Sequence, residues 1–232
     1  MLITLHHTLR QRCAPILFRS LTATSAARNS TAFPTKRCSA CSAPLPTALP
    51  ACAKCGHISV LPSTVTAHQL FDLPQRPNPF VVDVSTLRQR FREAQAVVHP
   101  DGWASKGPKK QDLAQTLSTR VNEAYNQLLT PLPRAVYILE QNGYDITEHD
   151  QLTDIEFISD IMNAREIISE SEVKEGIEVL MEETDGKIDA TLKEIESYIS
   201  GQDWERAKEE VIRLRYLEGI NRAARSRLDE LS

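Results

Sequence analysis

The sequence predicts an all-α protein: an N-terminal helical hairpin, a C-terminal three-helix bundle, and a small cysteine-containing module that precedes both. Three observations predict this. Apolar residues recur at helical spacing through most of the chain after residue 84. The connections between these periodic segments are short, as in helical bundles. Two cysteine pairs stand in a proline-rich stretch before them. No apolar run is long enough to span a bilayer.

Charge is distributed unevenly along the 232 residues, although the net charge is only −4. No Asp or Glu precedes Asp72, and the first 71 residues carry seven Lys or Arg. The remainder holds 20 basic and 31 acidic residues, a net charge of −11. Such an acidic body argues against general nucleic-acid binding, because that function requires basic residues to neutralise phosphates.

The first segment, residues 1–36, has the composition of a mitochondrial transit peptide. It is rich in Leu, Ala, Ser and Thr, contains no acid, and includes Arg10, Arg12, Arg19 and Arg28. A secretory signal fits less well, because the arginines interrupt any continuous apolar region. The alternative is a disordered tail. We therefore predict that the mature protein resides in the mitochondrial matrix.

Two CxxC pairs in residues 37–62 predict a metal site. Cys38-Ser-Ala-Cys41 and Cys52-Ala-Lys-Cys55 together supply four thiolates, the number that a closed tetrahedral zinc site needs. The loop between them has too few apolar residues to fold without the metal. We predict one structural zinc ion, with His57 as a bystander. Iron and a disulfide pair are the alternatives, and a reducing compartment disfavours disulfides.

A basic amphipathic helix is predicted over residues 85–98. One face collects the apolar side chains of Leu87, Phe91, Ala94 and Val98. Arg88 and Arg92 lie beside that stripe, one turn apart and in solvent. Pro100 ends the helix and moves His99 out of the α-helical region. Together with Asp101 these residues form a polar corner at the end of a cationic rod.

Further helical segments flank this corner. A short apolar element covers residues 67–73, and a second long helix is expected over 111–129. A basic loop with Trp103 and Gly107 connects the corner to that helix. A shorter helix follows over 131–139, with proline in its first turn and Asn142-Gly143 at its end.

From residue 145 the chain is acidic and helical. Residues 145–196 carry 17 acidic and four basic residues. Helices are predicted at about 153–169, 172–199 and 203–230, with a break at Gly201 and an N-cap at Asp203. Their apolar stripes and short connections predict a three-helix bundle.

The first helix of this bundle has more apolar surface than one core can cover. One face carries Phe157, Ile161, Ala164 and Ile168. Ile155, Ile158 and Met162 lie on nearly the opposite face, which predicts a partner site. The alternative is that this second stripe packs against the helical hairpin. On the last helix Ile212, Tyr216 and Ile220 also face away from the main stripe, and we expect them to extend the same apolar patch.

The order of these elements resembles the J domain of DnaJ-type co-chaperones, which carries His-Pro-Asp between two antiparallel helices. Further segments are similar to the HscB family of J-type co-chaperones in iron–sulfur cluster biogenesis. They are Val121-Asn-Glu-Ala-Tyr, Leu129-Thr-Pro-Leu-Pro-Arg-Ala-Val-Tyr-Ile-Leu, Phe157-Ile-Ser-Asp-Ile-Met-Asn-Ala-Arg-Glu and Leu214-Arg-Tyr-Leu217. The resemblance covers residues 67–232, and the paired cysteines look like the zinc module of some eukaryotic members.

The resemblance implies a protein with two binding faces. A J domain at 67–143 would dock on a mitochondrial heat-shock-70 (DnaK-type) chaperone and stimulate its ATPase. The chaperone-facing residues would be His99, Pro100 and Asp101, supported by Arg88 and Arg92. A C-terminal domain at 145–232 would bind the iron–sulfur scaffold protein. Its scaffold-facing positions would be Ile158, Ser159, Met162, Asn163, Glu166, Glu170 and Tyr216. Ser159 and Asn163 depart from the bacterial pattern.

An enzymatic role is not expected. His99 and Asp101 could form a base and its partner, but no nucleophile or phosphate-binding loop accompanies them. The ATP chemistry would then belong to the chaperone. Two other functions compete with the co-chaperone reading: redox or cluster handling by the CxxC thiols, and nucleic-acid binding by a zinc finger. The acidic body disfavours the latter.

Overall fold

The computed structural model describes residues 36–147, 149–150 and 152–231. Within them the chain forms seven α-helices and one 3-10 helix. Their bounds are Ala67–Leu70 (α1), Val84–Val98 (α2), Pro108–Leu129 (α3), Pro131–Gln141 (α4), Ile155–Glu170 (α5), Lys174–Gly201 (α6) and Trp204–Glu230 (α7), with the 3-10 helix at Pro100–Lys106. This confirms the predicted all-α class. The predicted transit peptide, apart from Lys36, lies outside the described residues. Among the described helices, none combines the length and apolarity that a membrane crossing needs.

The helix ends follow from local chemistry. Asp83 caps α2, accepting a hydrogen bond from the backbone N–H of Ser85, and Asp203 caps α7 in the same manner. The expected break at Gly201 differs in detail: Gly201 is the last residue of α6, and Gln202 adopts the left-handed conformation that ends it. The expected basic loop after the corner is the 3-10 helix instead, so α3 begins three residues earlier than predicted.

Helices α2 and α3 form an antiparallel hairpin. The rings of Phe91 and Tyr125 stack with centroids 4.1 Å apart. Gln95, one turn further along α2, donates to the side-chain oxygen of Asn122 at 2.7 Å and accepts from the hydroxyl of Ser118 at 3.0 Å. These contacts fix the register of the two helices, and that register determines where the His-Pro-Asp corner stands.

A single apolar core runs from the cysteine module through the hairpin into the C-terminal helices. Leu49 and Ile58 of the module, Leu87 of α2, Leu139 of α4 and Leu214 of α7 are all buried members of it. A second, smaller core lies at the other end of the bundle, where α5 meets α6 and α7. It contains Ala164, Ile168, Ile177, Leu180, Ile220 and Ala224.

Helix α7 is enclosed by its neighbours, because α4, α5 and α6 all pack against it. The expectation for two of its residues is therefore wrong. Ile212 and Ile220 are buried, with 4% and 1% of their surface exposed, and do not join an exterior patch. Tyr216 keeps part of its ring accessible. Three neighbouring helices leave this helix little free surface, which periodicity within one helix cannot reveal.

Candidate functional site

The His-Pro-Asp corner stands where α2 ends. His99 has φ −58° and ψ 126°, outside the α-helical region as expected before proline. Its Nδ1 lies 3.4 Å from the backbone nitrogen of Asp101 and 3.6 Å from that residue's carboxylate. The Asp101 side chain is 89% exposed. The corner therefore presents a carboxylate to solvent, held near the imidazole that precedes it.

Behind the corner, a buried tryptophan anchors the 3-10 helix. The Trp103 indole N–H donates to the carbonyl of Val97 at 3.0 Å, which ties the turn back to the last turn of α2. The ammonium of Lys106 lies over the same ring, 4.0 Å from its centroid. The backbone N–H of Gly102 donates to the His99 carbonyl at 3.0 Å. These contacts limit the conformations that the corner can adopt.

Arg88 and Arg92 are both exposed on α2, about three and two turns before the corner. The apolar face beside them is covered as predicted, with Leu87, Ala94 and Val98 buried and Phe91 partly buried. Both arginines are therefore accessible from solvent.

The four cysteines of the module come together. Sγ of Cys38 lies 3.6 Å from Sγ of Cys55, and Sγ of Cys41 lies 3.7 Å from Sγ of Cys52. All four sulfurs lie within 4.8 Å of one another. Tetrahedral coordination at a Zn–S distance of about 2.3 Å requires sulfurs about 3.8 Å apart. The donor set and its spacing therefore fit a metal ion of that size.

The thiol pKa values differ within this cluster. A hydrogen bond from the backbone N–H of Ala40 lowers the pKa of Cys38 to about 7. The backbone N–H of Cys55 likewise lowers the pKa of Cys52. The backbone N–H of His57 acts in the same direction on Cys55, but the neighbouring thiols and burial raise its pKa to about 12. Four adjacent thiolates repel one another, so a bound cation is needed for all four to ionise.

His57 is not part of the group of four donors that come together. Its Nε2 lies 3.0 Å from the hydroxyl of Ser39, and its carbonyl accepts a hydrogen bond from the backbone of Cys52. The imidazole Nε2 and the backbone carbonyl of His57 are therefore both in hydrogen bonds. These contacts agree with the expectation that His57 is a bystander.

The apolar stripe predicted on α5 is exposed. Ile155 is 82% exposed, Met162 66% and Ile158 41%, so the alternative that this stripe packs against the hairpin is wrong. Ile158, Met162 and Tyr216 line a hollow of about 250 Å³ between α5 and α7. Phe157 meets Tyr216 edge-on beneath it, with ring centroids 6.3 Å apart.

The other four residues expected on this side lie outside the hollow. Ser159, Asn163, Glu166 and Glu170 are exposed along α5. These four residues are spaced three, four and seven apart, so they form one strip along the helix. The strip lies next to Ile158 and Met162. The structure thus divides the seven positions into an apolar hollow and a polar strip beside it.

Sequence reasoning missed several residues that build these sites. Arg165 lines the hollow. The guanidinium of Arg213 lies 4.5 Å from the ring centroid of Phe157, which also lines it. Arg134 is buried and donates to the carbonyls of Leu128 and Phe80, which fixes the end of α3. The sequence does hold a signal for Arg134. It follows the end of α3, which Pro131 marks, and the last carbonyls of a helix need donors there.

One contact between the module and the hairpin was also missed. The ammonium of Lys110, in the first turn of α3, donates to the carbonyl of Gly56 at 2.7 Å. Gly56 follows the last cysteine of the module directly. No sequence spacing joins positions 54 residues apart, so this contact could be found only in the fold.

Comparison with known proteins agrees with this arrangement. A family model described as "HSCB C-terminal oligomerisation domain" matches residues 153–225. The human iron-sulfur cluster co-chaperone protein HscB is 32% identical over 171 residues, which cover 72% of this chain and 71% of the relative. The co-chaperone protein HscB of Proteus mirabilis is 31% identical over 152 residues, covering 63% of this chain and 88% of that protein.

Solved structures show the same likeness. The crystal structure of human HscB superposes with a TM-score of 0.72 at 28% identity, covering 84% of this chain and 98% of that chain. HscB from Vibrio cholerae, at 22% identity and a TM-score of 0.64, covers 72% of this chain and 99% of its own, and it supports the fold alone. These relatives are named as chaperones or co-chaperones and not as enzymes, which confirms the non-enzymatic expectation. The chain therefore belongs to the HscB family of iron–sulfur cluster co-chaperones.

Proposed function

We propose that this protein is a J-type co-chaperone that stimulates ATP hydrolysis by a mitochondrial heat-shock-70 (DnaK-type) chaperone and delivers an iron–sulfur scaffold protein to it for cluster transfer. The observation that carries the proposal is the exposed His99-Pro100-Asp101 corner, held by the Trp103 anchor at the end of the α2–α3 hairpin. Membership of the HscB family supports a co-chaperone role in iron–sulfur cluster assembly.

On the chaperone side, this protein acts by binding. The Asp101 carboxylate accepts charge-assisted hydrogen bonds from arginine or backbone donors of the chaperone. Arg88 and Arg92 attract an acidic surface on the same partner. The corner binds one state of the chaperone more tightly than the other, and this difference shifts the chaperone toward its hydrolysing state. All bond breaking takes place in the chaperone.

On the scaffold side, the hollow between α5 and α7 receives apolar side chains. Ile158 and Met162 supply exposed area, and Tyr216 supplies an aromatic anchor of the kind found at interface centres. The polar strip beside the hollow adds hydrogen bonds at the rim. Its members are Ser159, Asn163, Glu166 and Glu170.

Four segments of the chain have different roles in this proposal. Residues 37–62 form a structural zinc module held by Cys38, Cys41, Cys52 and Cys55. Residues 67–143 form the J domain, and 145–232 form the scaffold-binding domain. Residues 1–36 direct the protein to the mitochondrial matrix, which import of a tagged full-length chain into isolated mitochondria tests.

The two binding faces are tested together by single-turnover ATP hydrolysis. A mitochondrial heat-shock-70 chaperone is mixed with scaffold protein and with either wild type or the triple variant Ile158→Ala, Met162→Ala and Tyr216→Ala. We expect wild type to accelerate hydrolysis and scaffold to increase that acceleration. In the triple variant the scaffold-dependent part is lost, while the scaffold-independent part is retained because the corner is untouched.

The matched control is the double variant Val173→Ala and Val179→Ala. Both side chains are exposed apolar residues outside the hollow, at 62% and 57% exposure. It should behave as wild type. If the triple variant keeps its scaffold dependence, the scaffold binds to a different surface. Failure of wild type to accelerate hydrolysis would overturn the J-type function itself and favour chemistry at the cysteines.

A further inference from the structure

The cysteine module is docked on the hairpin through shared apolar packing. Leu49, Ala51 and Ile58 of the module are buried in the same core as Trp103, the residue that anchors the corner. The module is therefore part of the body that presents the corner. Any change in its structure acts on the segment that follows the His-Pro-Asp turn.

A polar contact also joins the module to the hairpin. Gly56 has φ +67°, the left-handed region, and its N–H donates to the carbonyl of Cys52 at 2.9 Å. The closed turn of the second cysteine pair thus determines where the Gly56 carbonyl points. That carbonyl accepts from the ammonium of Lys110 at 2.7 Å. A charged donor makes this a stronger contact than a neutral hydrogen bond.

The lysine that covers Trp103 also comes near this glycine. A Cβ at Gly56 would come within 3.8 Å of Cδ of Lys106 and of Nζ of Lys110. Lys106 places its ammonium over the Trp103 ring. Trp103 in turn is bonded to Val97, two residues before His99. The Lys110 hydrogen bond to Gly56, the nearby Lys106 and the Trp103 hydrogen bond to Val97 therefore lead from the second cysteine pair toward the corner.

We propose that Lys110 and Lys106 are positioning residues for the His-Pro-Asp corner, and that metal binding by the four cysteines increases chaperone stimulation through them. The inference rests on the proposed J-type function. The metal closes the second cysteine pair, this fixes the Gly56 carbonyl, and the two lysines transmit that position to the 3-10 helix. The lysines bind neither chaperone nor nucleotide in this scheme.

The first test follows Trp103 itself in the full-length protein. The chain has two tryptophans, so the variant Trp204→Phe leaves Trp103 as the reporter. Zinc is added to and chelated from this protein while the emission spectrum and the hydrogen exchange of residues 99–106 are recorded. We expect chelation to shift the emission and speed exchange in that segment, with exchange in α2 and α3 little changed.

The second test separates positioning from mere stability. Zinc-loaded Lys110→Met loses the donor but keeps much of the aliphatic stem. We expect chaperone stimulation to fall about three- to tenfold, the size of a coupling carried by a few contacts. Zinc stoichiometry should remain one, and chelation should cause little further loss. Lys110→Arg keeps a cationic donor and should restore stimulation. Lys109→Met, an exposed neighbour on the same helix, is the matched control.

These tests distinguish failure of the positioning role from failure of the proposed J-type function. If Asp101→Ala abolishes stimulation but zinc removal and Lys110→Met leave it unchanged, the positioning role is wrong and the J-type function stands. If wild type gives no stimulation, the function fails. If Lys109→Met lowers stimulation as much as Lys110→Met does, the effect is general charge and the proposal is overturned. Unaltered Trp103 emission after chelation also overturns it.

Discussion

The His-Pro-Asp corner and the hollow between α5 and α7 are built in opposite ways. The corner consists of three consecutive polar residues and exposes a carboxylate. The hollow is lined by apolar side chains from two helices, and Ile158 and Tyr216 in it are 58 residues apart in the chain. The corner is held in shape by hydrogen bonds behind it, such as Trp103 to Val97. The hollow is shaped by packing, such as Phe157 against Tyr216.

This difference predicts two kinds of binding energy. The corner offers one charged group in one geometry, so its binding energy depends on a few atoms. Small chemical changes there should therefore have large effects on binding. A hollow that offers apolar area gains energy in proportion to the area it buries, so truncations should have graded effects. The first should respond to salt and the second should not.

The largest effect is expected from Asp101→Asn. The substitution keeps shape and removes the charge, so the charge-assisted contact with the chaperone is lost. Such contacts contribute about 1.5–3 kcal/mol, and stimulation should therefore fall about ten- to hundredfold. Single-turnover ATP hydrolysis measures this, with thermal unfolding to verify the fold. Asp112→Asn, an exposed carboxylate on α3, is the control. Stimulation equal to wild type would show that geometry alone suffices.

The sequence predicted the corner more completely than it predicted the hollow. The corner is local, so Pro100 and the stripe of α2 were enough to predict its position and the exposure of Arg88 and Arg92. The apolar stripe of α5 was found from periodicity alone, and its exposure is confirmed. Ile212 was misjudged because periodicity in α7 does not show how many helices surround it. Contacts such as Lys110 with Gly56 join distant segments, which no local pattern encodes.

Met162→Ala should weaken scaffold binding by an intermediate amount. Two thirds of the side chain is exposed in the free protein, and burying that area contributes about 1–2 kcal/mol. The dissociation constant for scaffold should therefore rise about five- to thirtyfold. Isothermal titration calorimetry with scaffold protein measures it. Chaperone stimulation without scaffold should not change. Val179→Ala, exposed on α6 outside the hollow, should bind as wild type does; if it weakens binding equally, the scaffold surface is broader than the hollow.

The double variant Arg88→Gln and Arg92→Gln should reveal the difference in salt response. Charges beside an interface mainly raise association rates, so we expect association with the chaperone to slow about tenfold at low salt and less at high salt. Stopped-flow association over a range of KCl measures this. Scaffold binding should show the same salt dependence in both proteins, because Arg88 and Arg92 lie outside the scaffold surface. The double variant Arg222→Gln and Arg225→Gln, with both residues exposed on α7, is the charge-matched control. A double variant with the salt slope of wild type would contradict electrostatic attraction by α2.

The smallest effect concerns the edge of the hollow and depends on pH. The segment entering α5 is tied to α7 by Asp150, whose carboxylate accepts from the N–H of Thr147 at 2.6 Å and pairs with Lys208 at 2.9 Å. These contacts lower its pKa from 3.8 to about 2. The folded state therefore gains stability above pH 3.8, and this gain is lost as the pH falls toward 2.

Asp150→Asn removes the charge on which this gain depends. We expect its Tm to lie below that of wild type at pH 5–7 and the gap to close near pH 2. The effect should be small because the pair lies near the surface, where solvent screens it. Circular dichroism melts from pH 2 to pH 7 measure the gap, with Asp189→Asn on α6 as the control. Faster hydrogen exchange around Phe157, but not around Trp103, would show that acid loosens the hollow while sparing the corner. A gap that is constant with pH would assign the effect of the substitution to lost packing instead.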